Sequence, residues 1–277
     1  MKVLGISASA RSWGNTDLLV HHCLRGARGE GGEALFVRLT DLELRPCVGC
    51  MACVFKNLDC VQDDRLPELL QALRWADAVV LGSPTYVLGA TAAVKNLQDR
   101  LIRFGVSREF VGKPGVALAA AGVRGWEPFA LSQVSLTFLF LGMPVVDQFV
   151  GYAQGPGEIL DDEAACRRAT EAGRALGRGE TGYRGTGGAC PVCRLDLVTE
   201  AGDGGARCVL CDLPGRWEGG AGGARWFRPV PGARPRWSEE VMRDHFVGRI
   251  LPSGPRFKGR LREIRARVEA FRGGDQT

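Results

Sequence analysis

The amino-acid sequence predicts a doubly wound α/β sandwich, a five-stranded parallel sheet in the order 2-1-3-4-5, followed by a small C-terminal metal-binding domain. Three observations carry that expectation. Five apolar runs alternate with five helical patterns over about the first 175 residues. A hydroxyl-rich turn joins the first apolar run to the first helical pattern, where a doubly wound sheet opens its crevice. Ten cysteines fall into two quartets and two singletons, one quartet inside the alternating region and the other beyond a glycine-rich stretch.

Taken in order, the runs at 2–8, 34–40, 78–83, 115–121 and 144–150 read as buried parallel strands, because each is continuously apolar rather than alternating. The spacing between them predicts helices at Asn15 to about Gly26, Leu66–Trp75, Ala92–Phe104, Ala130–Leu141 and Asp162–Leu176. Right-handed crossovers then cover both sheet faces. These elements make a first domain over 1–178.

Residues 179–188 form a flexible linker by composition. The stretch contains a literal G-x-G-x-x-G at Gly177, Gly179 and Gly182, but it follows a helix and leads into loop. A dinucleotide fingerprint follows a strand and opens a helix. Residues 189–230 make a four-cysteine unit with a hairpin tipped by Gly202-Asp203-Gly204-Gly205. A second glycine-rich stretch, Gly219 to Gly223, separates Trp217 from Trp226. Residues 231–277 are a helical basic tail. Ser238 caps one helix there, and a last helix from about Lys258 to Phe271 places Leu261, Ile264, Val268 and Phe271 on one stripe.

The 277 residues are 45% hydrophobic and 24% charged, the make-up of a soluble globular protein. The sequence opens directly into an apolar strand, and no apolar run reaches the roughly 18 residues of a membrane span. A cytoplasmic location is expected, where thiols stay reduced and clustered cysteines read as metal or redox sites. Residues 225–277 hold 13 Lys and Arg against 6 Asp and Glu, so the net +5 belongs to the tail and the rest stands at −2. Only His21, His22 and His245 exist, which gives a hydrolase triad little support. Cys23 and Cys166, each on a helix, read as buried thiols.

Cys47, Cys50, Cys53 and Cys60 form a C-x2-C-x2-C-x6-C run. Core cysteines follow a helix or strand period, not three-residue steps along a loop. Two short steps and a longer return let the backbone wrap a compact centre. Thiolate sets of this kind hold iron–sulfur clusters, and soft sulfur ligands also suit zinc. The turn Gly5-Ile6-Ser7-Ala8-Ser9-Ala10-Arg11-Ser12-Trp13-Gly14-Asn15-Thr16 offers hydroxyls, an Arg and backbone N–H groups at a helix N-terminus, as a phosphate monoester requires. It lacks the G-x-x-x-x-G-K-[ST] of an NTP site. Strand three ends in Pro84-Thr85-Tyr86-Val87, which would line a flat ring in the same crevice. The cysteine loop follows strand two, beside strand one, so the metal centre is expected on that rim.

These stretches, with GSPTYVLGATAAVKNLQDR and the Ala121-Gly122-Val123-Arg124 turn, resemble the iron–sulfur flavoproteins of the NADPH-dependent FMN reductase and flavodoxin-like group. The resemblance spans about residues 1–178. It implies FMN, a 4Fe–4S cluster and a homodimer, or a tetramer built from dimers, with flavin sites at subunit contacts. By position, Ser7, Ser9, Arg11, Asn15 and Thr16 would hold the phosphate and ribityl chain. Pro84, Thr85, Tyr86 and Val87 would contact the isoalloxazine, with Gly122 and Arg124 at its far side. The family's turn continues Gly-Gly-Gln-Glu-like, whereas Gly125-Trp126-Glu127-Pro128 follows Arg124 here. Trp126 is thereby placed to cover the flavin or block a nicotinamide.

Cys190, Cys193, Cys208 and Cys211 have the C-x2-C-x14-C-x2-C spacing of a zinc ribbon. A rubredoxin-like single iron is the alternative. Rubredoxin knuckles place Gly after the second Cys, and Arg194 and Asp212 stand there instead. The chain reads first as an oxidoreductase coupling a ferredoxin-like carrier to a small-molecule acceptor, with the hard chemistry residing in its cofactors. Two other readings stand beside it. One is an NAD(P)H-dependent flavin, quinone or nitro-compound reductase. The other is a redox-responsive regulator binding nucleic acid or protein through ribbon and tail, although the tail lacks a stacking platform's interleaved aromatics.

Overall fold

The computed structural model describes residues 1–202, 204–219 and 225–274. Chain order through the first domain is β1 (Lys2–Ser7), α1 (Asn15–Gly29), β2 (Glu33–Arg38), α2 (Ala52–Phe55), α3 (Leu66–Trp75), β3 (Ala78–Tyr86) and β4 (Gly89–Ala90). It continues with α4 (Ala92–Arg100), α5 (Ile102–Ser107), β5 (Gly115–Ala121), α6 (Ala130–Leu141), β6 (Val145–Tyr152) and α7 (Glu163–Gly177). The main sheet runs β2-β1-β3-β5-β6, all parallel, which is the predicted flavodoxin-like order. The short β4 folds back antiparallel on the end of β3.

Two apolar layers sandwich the sheet. On one face Leu4, Ile6 and Leu81 pack against Leu69 and Leu73 of α3, Leu97 of α4 and Phe138 of α6. On the other, Val3, Val80 and Leu118 meet Leu19, Val20 and Leu24 of α1 and Ala172 and Leu176 of α7. Helices α1 and α7 touch backbone to backbone at Gly26 and Gly173. A Cβ on Gly173 would lie 1.8 Å from the Cys23 carbonyl oxygen, so no larger residue fits. Cys23 and Cys166 are buried as expected, and burial pushes both thiols above their ordinary range.

Three expectations need correction. The helix expected over 92–104 is two, because Leu101 donates to both the Leu97 and Gln98 carbonyls and turns the chain between α4 and α5. The linker is fastened rather than free: Arg184 N–H donates to the Val146 carbonyl at 2.7 Å, and the Arg194 guanidinium lies over the Tyr183 ring. The tail helices form one run, α8 (Glu239–Arg243), a π-helical segment over Asp244–Ile250, and α9 (Leu251–Gly274). The sequence reading missed this continuity because Pro252 and Pro255 lack the N–H groups that an α ladder uses. The Ser238 hydroxyl does cap α8, accepting from Val241 N–H.

Beyond the linker, β7 (Val198–Ala201), β8 (Gly205–Cys208), β9 (Leu213–Gly219) and β10 (Arg225–Pro229) form an antiparallel sheet ordered β10-β9-β8-β7. Asp203 at the expected hairpin tip, and residues 220–223 of the second glycine-rich stretch, lie outside the described residues. Leu139 of α6 packs into this unit's apolar core, seating it on the first domain. Among the described residues no helix is long and apolar enough to cross a membrane.

Candidate functional site

The turn after β1 is ordered by a carboxylate that the sequence reading overlooked. Asp17, 1% exposed in the first turn of α1, accepts from Ser7 Oγ at 2.6 Å, Trp13 N at 2.9 Å and Arg38 Nη2 at 2.6 Å. Ser7 Oγ in turn accepts from Ser9 N, and Ser9 Oγ from Arg11 N. The loop is therefore held by its own hydroxyls and by Arg38 of β2 through Asp17, with Ser7 supporting it from beneath.

Above this network lies a cavity of about 250 Å³. Of the residues expected to bind cofactor, Ser9, Arg11, Asn15, Thr16, Pro84, Thr85, Tyr86 and Gly122 line it. Three do not reach its wall. Ser7 is fully buried, Val87 is 98% exposed, and the Arg124 guanidinium stacks 3.9 Å from the Tyr152 ring centre. Trp126, 68% exposed, is also absent from the lining. Asn15 lines the wall but uses its amide elsewhere: Nδ2 donates to the Ala153 and Gly155 carbonyls, and Oδ1 accepts from Gly157 N. That amide pins the loop after β6, whose Ala153, Gln154 and Pro156 complete the cavity. The sequence signal for that loop was its place at the carboxyl end of a parallel strand.

The lining suits a flavin phosphate and polyol. The buried hydroxyls of Thr16 and Thr85 have no partner within the protein, and each belongs to a cavity residue. Beside the cavity, Tyr152 donates to Glu127 Oε1 at 2.7 Å. Burial, and then that bond, push the Tyr152 phenol up to about 12, so it stays protonated at neutral pH.

The first cysteine loop leaves the carboxyl end of β2 on the same rim. Thr40 Oγ1 donates to the Ser9 carbonyl, and Asn96 Nδ2 to the Leu44 carbonyl, which ties the loop's start to both the phosphate turn and α4. Left-handed Gly49, Met51 and Asn57 bend it, and the single turn of α2 carries Cys53. Cys47, Cys50, Cys53 and Cys60 line one hollow with Val48, Val61 and Arg100, all as free thiols. Cys47 and Cys50 are exposed and the other two half-buried. Four unpaired sulfurs around an apolar hollow fit a metal cluster rather than disulfides.

The second quartet is closed. All four of its thiols are buried, their Sγ atoms lie within 4.8 Å of one another, and Cys193 and Cys208 are 3.7 Å apart. A tetrahedron with metal–sulfur bonds of about 2.3 Å has edges of about 3.8 Å, so this set fits a single ion. Arg194 and Asp212 both adopt left-handed backbone, φ 60° and 54°, so the knuckle turns form without glycine. Their identities thus do not separate zinc from iron.

Residues 1–156 match the NADPH-dependent FMN reductase family, more than half of the chain. An iron–sulfur flavoprotein of Methanocaldococcus jannaschii is 34% identical over 185 residues, covering 64% of this chain and 95% of that protein. This chain belongs to the iron–sulfur flavoproteins of that family. The flavoprotein is also 29% identical to a flavone synthase of Aspergillus candidus over 243 residues, 73% of each chain. A solved flavone reductase, 22% identical, superposes with a TM-score of 0.77 over 99% of this chain and 97% of its own, so the fold is shared through the C-terminal unit.

Proposed function

We propose that this flavoprotein is an oxidoreductase that passes electrons between a ferredoxin-like carrier and a small acceptor through a 4Fe–4S cluster and FMN. One observation carries the reading: the phosphate-type cavity and the open cysteine loop leave neighbouring strands on one rim and are stitched together there. Ser9, Arg11 and Thr16 would hold FMN phosphate, Pro84, Thr85 and Tyr86 its ring, and Cys47, Cys50, Cys53 and Cys60 the cluster. Bound there, the cluster supplies single electrons and the flavin one or two. The protein's part is to fix the phosphate turn through Asp17 and keep the thiols reachable. Zinc is assigned to Cys190, Cys193, Cys208 and Cys211, with a single iron as the alternative. A second copy of the chain belongs to the reading, because Trp13, Val87, Val123, Trp126 and Phe129 stand exposed around the flavin rim.

A second reading, an NAD(P)H-dependent reductase of flat conjugated acceptors, is favoured by the relative named a flavone synthase. Metal, sulfide and flavin content of anaerobically purified protein tests the first reading. Four iron, one zinc and one FMN per chain is the expected result, and colourless protein would end it. Anaerobic reduction by reduced ferredoxin against NAD(P)H then separates the two readings.

A further inference from the structure

Arg100, the last residue of α4, is enclosed completely, and its partner Asp64 is 4% exposed. The guanidinium donates to both carboxylate oxygens of Asp64, to the Arg45 carbonyl at 2.6 Å, and through Nη2 to Cys60 Sγ at 3.4 Å. Asp64 also accepts from Arg45 N at 3.0 Å and Leu66 N at 3.1 Å. The carboxylate offsets the cost of burying the cation, and it is itself saturated by backbone donors. The planar fork still has a donor directed at sulfur. A clip for the cysteine loop would need only the contacts to Arg45 and Asp64.

We propose that Arg100 is a positioning residue that raises the reduction potential of the cluster held by Cys47, Cys50, Cys53 and Cys60, through its N–H to the Cys60 sulfur. Reduction adds one electron, delivered by a one-electron carrier, and no atom is transferred. The added negative charge spreads onto the thiolate sulfurs, where a fixed cationic donor favours the reduced form. Hydrogen bonds to ligating sulfur and local charge are what a protein uses to set such potentials. The inference rests on the cluster assignment of the preceding section.

The test is an EPR-monitored dithionite titration of anaerobically reconstituted full-length protein. Arg100→Leu is expected to shift the one-electron equilibrium at least tenfold toward the oxidised cluster, 59 mV downward. Asp64→Asn keeps the guanidinium on Cys60 and removes a nearby anion, so its potential should rise. A merely structural pair would move both variants together or neither, and either pattern overturns the proposal. The double variant Arg100→Leu/Asp64→Asn leaves no orphaned charge and should still titrate below wild type, which decides the matter where the single variant fails to hold iron. Failure of both to hold iron would make Arg100 a clip and overturn the proposal. Wild-type protein that takes up no iron and sulfide would instead refute the cluster assignment itself.

Discussion

The two cysteine quartets use the same residue four times and build opposite environments. The first lies on a loop bent by left-handed residues, with two sulfurs open to solvent and the cavity rim alongside. The second is sealed in an apolar core with Leu139, Leu213 and Phe227, its sulfurs packed to single-ion distance. An electron-exchange centre has to stay reachable, whereas a structural ion has all four positions filled by protein. Spacing along the chain points to metal ligands in both quartets; burial and close-packed sulfurs set the second apart.

That contrast can be broken most forcefully at the second site. Cys208→Ser should release its ion and unfold residues 189–230, since structural zinc contributes roughly 10–16 kcal/mol in ribbon-sized peptides. Limited proteolysis should cut that region while FMN stays bound to the rest. Cys50→Ser at the first site should do the reverse: loss of iron and of carrier-driven flavin reduction by two orders of magnitude or more, with a thermal midpoint that hardly moves. Equal destabilisation by the two substitutions would collapse the distinction.

Smaller changes sharpen it. Asp17→Asn removes the charge under the phosphate turn, and hydrogen bonds to charged groups are worth about 1.5–3 kcal/mol. FMN affinity, read by fluorescence quenching, should fall by one to two orders of magnitude with both metal sites intact. Gln148→Ala should have the smallest effect. Its Nε2 donates to the Cys193 and Arg194 carbonyls at 2.9 Å each. Stranding those acceptors costs about 1–3 kcal/mol, measured as faster loss of the second ion to a chelator.

How much of this was readable beforehand follows the same division. Four of the strands were legible because buried parallel strands are continuously apolar; β2 was found by the same signal although, at the sheet edge, it is only half-buried. Both quartets were legible because loop spacing of thiols has no packing rationale. Asp17, Arg38, Arg100 and Gln148 were not. Each is a single polar residue whose meaning comes from partners brought close by folding, such as Arg38 across 21 residues and Arg100 across 36. Asn15 was legible as a site residue but not in its manner of acting, since its amide partners follow β6. The held linker was missed for the same reason: composition reports what a segment could do alone, not which strand receives it.

The way α7 and the linker meet β6 bears on self-association. An outermost strand exposes a ladder of unused carbonyls that another chain can extend. Here Arg184 N–H covers the Val146 carbonyl and the Arg168 side chain covers that of Gln148. Those two acceptors are therefore withdrawn from any strand that would extend the sheet beyond β6.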